Sequence, residues 1–350
     1  MSSPGPGVVR LASRRAPTAV IVGAGFGGLA LACRLQAAGV QVTLVEKRKR
    51  VGGRAYQLRE GGYTFDMGPS LITAPHILDS VFQAGGRRLW DYVDLVPLDP
   101  YYRIHFHDGS QIDYTGDREA MRSQMARFHP GDAARLDTFL DAVEPIYEAV
   151  IEDRLGSSPF DSLSRMAGFL PRMLRMGGHR SVGSFVERYF EDPRHRFLYS
   201  FHPLFVGGHP YATPSVYLMI PYLERTGGVW FTRGGMYSVV EAMASLFAEL
   251  GGVIRTGEEV EEILVRNGRA VGIRTRSILG PEPRPSENGG PPPSPARSSD
   301  RDGRGADEGT ALENSDTIHA DLVVSNGDPG HTYGDLVSAD ERRRWSDRRL

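Results

Sequence analysis

Apolar residues first fall into a regular pattern at Thr18–Val22, a short run that breaks on Gly23-Ala24-Gly25-Phe26-Gly27-Gly28. From Leu29 to Ala38 they recur at helical spacing, Gly39 stops them, and Val40–Val45 alternates as a second strand ending on Glu46. Gly62–Ser70 predicts another strand that closes on a tight turn at Gly68-Pro69-Ser70. Asp132–Phe197 reads mainly as helix, with Phe139, Val143, Ile146, Tyr147 and Val150 at helical spacing. Tyr237–Leu250 predicts a further helix. The period then shortens: Val253–Thr256, Val260–Val265 and Ala270–Thr275 predict strands, the last two joined by the hairpin turn Asn267-Gly268. Ile318–Asn326 predicts one more strand. Between these segments, Ser277–Asp316 is rich in Pro, Gly, Ser and charge and includes Pro291-Pro292-Pro293. Too little apolar surface lies there to offset the entropy of ordering, so a disordered insertion is expected.

Composition narrows the class without naming a chemistry. The 350 residues carry 41 Lys+Arg against 43 Asp+Glu, a formal net charge of -2, which gives no basic footprint for nucleic acid. One cysteine excludes an intramolecular disulfide and fits a reducing compartment. That cysteine, Cys33, stands among Leu31, Ala32 and Leu35 and reads as a small buried hydrophobe. No stretch approaches the roughly 18–20 apolar residues that span a bilayer, and residues 1–16 lack the apolar centre of a signal peptide. Leu163–Phe190, however, interleaves Phe169, Leu170, Met173, Leu174 and Met176 with Arg165, Arg172, Arg175, His179, Arg180 and Arg188. A basic amphipathic segment of this kind suits the headgroup layer of an anionic membrane, or equally a helix packed on its own domain with a solvated basic face. The expected location is cytoplasmic, peripheral on the membrane, and no metal site is expected.

The strongest chemical signal is the first glycine turn in its setting. Strand, Gly-x-Gly-x-x-Gly, helix, second strand and terminal acid is the full context of a dinucleotide-binding unit. Gly23 makes the tight turn, Gly25 lets backbone approach a pyrophosphate, and Gly28 lets helix pack on strand. Ala24 and Phe26 fill the intervening positions, and the diphosphate is expected at the positive end of the helix. Glu46, twenty-one residues after Gly25, is placed to accept hydrogen bonds from ribose hydroxyls and argues against a 2′-phosphate. Downstream of Lys47, the pair Gly52-Gly53 with Arg54 offers two more amides and a planar cation to a diphosphate, a pattern that favours FAD over NAD.

The run from Val20 to Ser70 resembles the FAD-binding start of the amine-oxidase and carotenoid-desaturase superfamily. In the middle of the chain, Tyr199–Pro210, Thr213–Tyr217, Gly227–Phe231 and Arg233–Met236 follow in an order that closely resembles bacterial-type phytoene desaturases. The resemblance implies an FAD-dependent oxidoreductase that desaturates phytoene or a related acyclic carotene, by loss of a hydride to flavin and of a proton from the neighbouring carbon. It implies a lipophilic carotene substrate, peripheral membrane contact, and oxygen or a quinone as electron acceptor. It also implies that Gly68, Pro69 and Ser70 approach the cofactor and that Val260 lies against the adenine through its backbone.

The stretch Phe201–Phe231 is rich in aromatic and aliphatic side chains. It suits an apolar channel, with Phe201, His202, Phe205, Tyr217 and Trp230 as its expected lining, and it suits a packed core as well. His202 and His209 sit beside turn residues, where a histidine is more often structural than acid–base, and no catalytic residue is assigned.

The expected fold is α/β: an FAD-binding, Rossmann-like, doubly wound domain interleaved with an α+β substrate domain and a helical, membrane-facing region. The expected division is a disordered N-terminus over 1–16, the FAD-binding βαβ unit over 17–75 and a substrate and helical region over 76–236. The chain then returns to the FAD-binding domain over 237–276 and 317–337, around the insertion at 277–316, and ends in a polar tail over 338–350. Members of the family are longer, and no second glycine-rich segment follows Asn326. An alternative expectation is therefore a catalytically incomplete FAD-binding fragment that needs a complementary C-terminal polypeptide. A third is another flavoprotein oxidase of the amine-oxidase kind.

Overall fold

A computed structural model describes residues 15–153, 163–278 and 315–342. Most of the expected N-terminal segment 1–16, of the insertion 277–316 and of the tail 338–350 lies outside the described residues.

In chain order the elements begin with β1 (Thr18–Val22), α1 (Phe26–Ala37), β2 (Gln41–Glu46), β3 (Tyr56–Glu60), β4 (Tyr63–Met67) and α2 (Pro75–Ala84). Next come β5 (Leu95–Pro97), β6 (Tyr102–His105), β7 (Gln111–Tyr114), α3 (Arg118–Ala126), α4 (Pro130–Tyr147) and α5 (Leu163–Arg175). These lead to α6 (Val182–Val186), α7 (Pro193–Ser200), α8 (Met219–Gly227), β8 (Trp230–Thr232) and α9 (Tyr237–Glu249). The last are β9 (Val253–Thr256), β10 (Glu258–Arg266), β11 (Arg269–Ser277), β12 (Ser315–His319) and β13 (Leu322–Ser325).

The chain divides into two compact units. Among the described residues, the first takes those up to Ser70, Asp79–Val93 and those from Gly234 onward; the second takes Leu71–Leu78 and Asp94–Arg233. The expected division assigned 79–93 to the substrate region, and the structure reassigns it. Phe82 and Leu89 are buried in the first unit, and the Asp79 carboxylate accepts from the Leu89 amide at 2.8 Å. Gly85 lies close against Leu246 and Leu250, which follow the apolar face of α9. A short polar-flanked helix carries no sequence mark of which unit buries it.

The first unit is built on a parallel sheet of order β13-β1-β2-β9. Its buried strands read as near-continuous apolar runs because both faces are covered. Helices α1 and α9 pack together, and the Cys33 thiol donates to the Met243 carbonyl at 3.4 Å. On the opposite side Val20, Val22 and Val45 share a core with Val260, Ile263 and Ile273 of the antiparallel sheet β10-β11-β12. Asn267 and Gly268 hold φ of 52° and 73°, the left-handed pair that a two-residue hairpin with matching twist requires.

One predicted strand is two. The run Ile318–Asn326 supplies β12 to the antiparallel sheet and β13 to the parallel one. The switch falls at Ala320 and Asp321: the Ala320 amide donates to Val271, and the Asp321 carboxylate accepts from the Thr18 amide and hydroxyl at 2.9 and 3.0 Å. An apolar run does not by itself record a change of sheet.

The hairpin β3–β4 went half unforeseen because its first strand is polar. Its register puts Tyr56, Leu58, Tyr63 and Phe65 on one face, where all four are exposed. Met236 donates its amide to the Asp66 carboxylate at 2.8 Å and so ties the hairpin to the start of α9.

The second unit is mainly helical, as its periodicity predicts. Pro130 opens α4 and the His129 ring accepts from the Asp132 amide at 3.0 Å, so the helix begins with its first amides partly satisfied. Leu136, Phe139, Leu140, Val143 and Ile146 then face inward. Phe139 packs on the rings of Tyr189, Phe190 and Tyr199 at 5.5, 5.1 and 4.9 Å. Asp132 is fully buried; its carboxylate accepts from the amides of Glu191 and Asp192 and meets His195 Nδ1 at 2.9 Å. It thereby joins α4 to the start of α7.

Candidate functional site

The site forms where the parallel strands of the first unit end, the usual place for a ligand in an open α/β sheet. Gly23 leaves β1 with φ of +93° and its amide donates to the Val45 carbonyl at 2.7 Å. A Cβ at Gly28 would stand 2.1 Å from the Gly23 carbonyl oxygen, so only glycine lets α1 start this close to β1. The helix opens at Gly25 with no side-chain cap and no acid in its first turn. Its free amides and positive end are left for an anion.

A second backbone segment closes on the turn. The Gly52 amide donates to the Ala24 carbonyl at 2.8 Å, and Gly25 and Gly52 form a parallel bridge. A Cβ at Gly53 would come within 3.0 Å of the Gly25 Cα. Gly68 is turned at φ of +91° beside the Arg54 carbonyl. The Arg48 guanidinium donates to the Gly53 carbonyl at 2.8 Å. The exposed Arg54 keeps its guanidinium unpaired among the described residues.

Between these segments opens a cavity of about 640 Å³. Gly23, Gly25, Phe26 and Glu46 line it, with Lys47, Gly53, Arg54 and Pro69. Ala24 is buried beneath, and Gly28 acts behind the wall through its packing. Ser70 is exposed and is not part of the lining. Val260 does not line the cavity either: it is buried in the core with Val45, which leaves only its backbone for a ligand contact.

Glu46 does more than its position in the motif announces. It is 7 % exposed, and its two oxygens accept from the Ala24 amide at 2.8 Å and the Arg48 amide at 3.0 Å. The carboxylate therefore braces the glycine turn against the basic loop, and each oxygen retains a lone pair for a ribose hydroxyl.

Sequence reasoning missed the fourth wall. Asn326, Gly327, Asp328 and Pro329, just past β13, also line the cavity, as do Arg48, Gly52 and Ala55. An Asn-Gly-Asp-Pro turn directly after an apolar run was the available signal.

The expected channel residues do not share one wall. The second unit holds a cavity of about 740 Å³ lined by Phe169, Met173, Val216, Tyr217 and Met219, with His179 and Arg180 also on it. Of the five expected residues only Tyr217 lines it. Trp230 lies on β8, where its indole donates to the Gly227 carbonyl at 2.8 Å. Phe201, His202 and Phe205 cluster with one another and with Tyr102, Phe205 being 56 % exposed. His202 is structural in setting: Nε2 meets the Glu224 carboxylate at 3.1 Å, and both side chains are buried. Burial first, and then Glu224, push the phenols of Tyr102 and Tyr114 well above their ordinary range. His209 is exposed in a turn and accepts from the Tyr211 amide. Glu224 carried no sequence signal, because a lone glutamate on a short helix is usually solvated.

Comparison with known proteins adds a lineage. Residues 26–278 match the family model described as flavin containing amine oxidoreductase. The chain is 43% identical over 255 residues to a lycopene-forming phytoene desaturase of Pseudescherichia vulneris, covering 73% of this chain and 52% of the relative. It is 35% identical over 344 residues to a lycopene-forming phytoene desaturase of a Paracoccus species, covering 95% of this chain and 61% of the relative. The chain thus spans 52% to 61% of the length of these relatives. A solved structure of a Pyrococcus furiosus protein shares the fold, with a TM-score of 0.57 at 18% identity over 93% of this chain and 63% of that one.

Proposed function

The chain belongs to the flavin-containing amine oxidoreductase family and its cofactor is FAD; from that premise we propose that it desaturates phytoene or a related acyclic carotene. The observation that carries this reading is the 43% identity to a phytoene desaturase over 73% of the chain. Within the first unit, the uncapped start of α1 and the Gly52-Gly53 turn suit the diphosphate, with Lys47 and Arg54 as counter-charges. The turn at Gly68 reaches the same cavity through Pro69, Gly68 itself not being part of the lining, and the Val260 backbone is offered to the adenine. When bound, the flavin supplies the acceptor for a hydride from an allylic carbon.

For the substrate, the cavity of about 740 Å³ in the second unit is apolar along Phe169, Met173, Val216, Tyr217 and Met219, a lining suited to a hydrocarbon. A carotene is dissolved in lipid, so the enzyme meets it at a membrane surface. Exposed Leu170 and Leu174 on α5, flanked by Arg172 and Arg175, support peripheral contact with the cytoplasmic face. No helix among the described residues is long and apolar enough to cross a membrane. Electrons then pass to oxygen or a quinone.

A second reading is an FAD-binding fragment that works with a complementary polypeptide, and the exposed apolar face of β3–β4 favours it. Expression in phytoene-accumulating cells separates the two. Coloured carotenoids together with a flavin spectrum support the desaturase. A colourless culture whose purified protein carries FAD supports the fragment.

A further inference from the structure

We infer that Asn326 is a ligand of the FAD diphosphate, its carboxamide serving as a neutral clamp on the glycine turn. The inference rests on the FAD reading and goes beyond it, since the residue lies outside the dinucleotide motif and reaches the turn from the far end of the chain.

Backbone geometry fixes where Asn326 begins. Its amide donates to the Val22 carbonyl at 2.8 Å, which continues the β13–β1 ladder by one residue past the strand. The side chain must then extend over the turn. A Cβ at Gly25 would lie 3.2 Å from its Nδ2, one at Gly28 3.3 Å from Nδ2, and one at Gly27 2.6 Å from Oδ1. Position 27 is a free position in Gly-x-Gly-x-x-Gly, yet here it is glycine. The carboxamide explains this, because an alanine at 27 would collide with it.

The carboxamide is close-packed on one side and unspent on the other. Asn326 is exposed and lines the cavity, and its side chain has no hydrogen-bond partner among the described residues. An asparagine held against an uncapped helix start with two idle N–H donors matches a phosphate oxygen. A carboxylate in the same place would repel a diphosphate. That contrast separates binding from packing, because Asn326→Asp keeps the shape and changes only the charge.

The test is titration of apoprotein with FAD, ADP and adenosine, read by calorimetry and by flavin fluorescence. Wild type is expected to bind all three. Asn326→Ala is expected to weaken FAD and ADP about tenfold and leave adenosine unchanged, and Asn326→Asp to weaken FAD and ADP further at an unchanged melting temperature. Wild-type affinity for ADP in both variants would overturn the inference. So would a loss shared equally by adenosine, since a merely structural residue would distort the whole turn. Failure of wild type to bind FAD or ADP at all would instead refute the cofactor reading, and this inference with it.

Discussion

Glu46 shows how much one motif residue can carry. The sequence places an acid at the end of a second strand, and that much was legible from spacing alone. That both its oxygens already hold backbone amides was not legible, because Ala24 and Arg48 reach it only once the turn has formed. Replacement by glutamine sets an NH₂ group against an amide donor and removes a charge. We expect Glu46→Gln to weaken FAD binding about tenfold and to lower stability by about 1–3 kcal/mol, measured by flavin titration and urea melts. Cys33 was readable as a buried hydrophobe, and its chemistry follows. Burial pushes its thiol up to about 12, so at pH 8 almost no thiolate forms. The native protein should therefore give no reaction with an aromatic disulfide reagent, and one thiol per chain should react in denaturant. His202 was visible from the sequence but its partner Glu224 was not, and the pair turned a candidate base into a buried polar contact.

Elements with a strong period were legible; those whose identity depends on a partner were not. The α1 and α9 helices and the Asn267-Gly268 hairpin follow from spacing and turn chemistry. The β3 strand and the split of β12 from β13 depend on which sheet accepts each edge. At the first turn of α1 we expect Gly28→Ala to abolish FAD binding, since its methyl would meet the Gly23 carbonyl and lever the helix off the strand. A co-purified flavin spectrum reads this directly. The α4–α7 junction gives a pH dependence. Arg194 beside Asp192 holds that carboxyl down at about 2 against an ordinary 3.8. Burial opposes the charge of Asp132, but the Asp192 and Glu191 amides and then His195 hold it below the ordinary value. Both groups bind fewer protons folded than unfolded. Their stabilisation is present above about pH 4 and is lost as pH falls through the folded values. Melting temperatures of the protein should drop between pH 4 and 2, and Asp192→Asn should flatten that drop while lowering stability at pH 7.

At the scale of the whole molecule, the first unit is stitched from both ends of the chain. Arg276 and Ser315 are cross-strand partners, so the ends of the segment between them already stand side by side. Deleting Pro281–Leu312 leaves enough residues for a short loop and should preserve FAD content, measured by absorbance per chain. Thr18 is held by Asp321, 303 positions later. For the cell this is a matter of timing. At about 5–20 residues per second, on the order of 15–60 s separate synthesis of the first strand from arrival of its neighbour. Through that interval the glycine turn exists as sequence without a pocket, and pairing so remote in the chain is slow even when synthesis ends. Flavin capture thus has to wait for that pairing, and a nascent chain arrested before Asp321 should emerge colourless from a ribosome bathed in FAD.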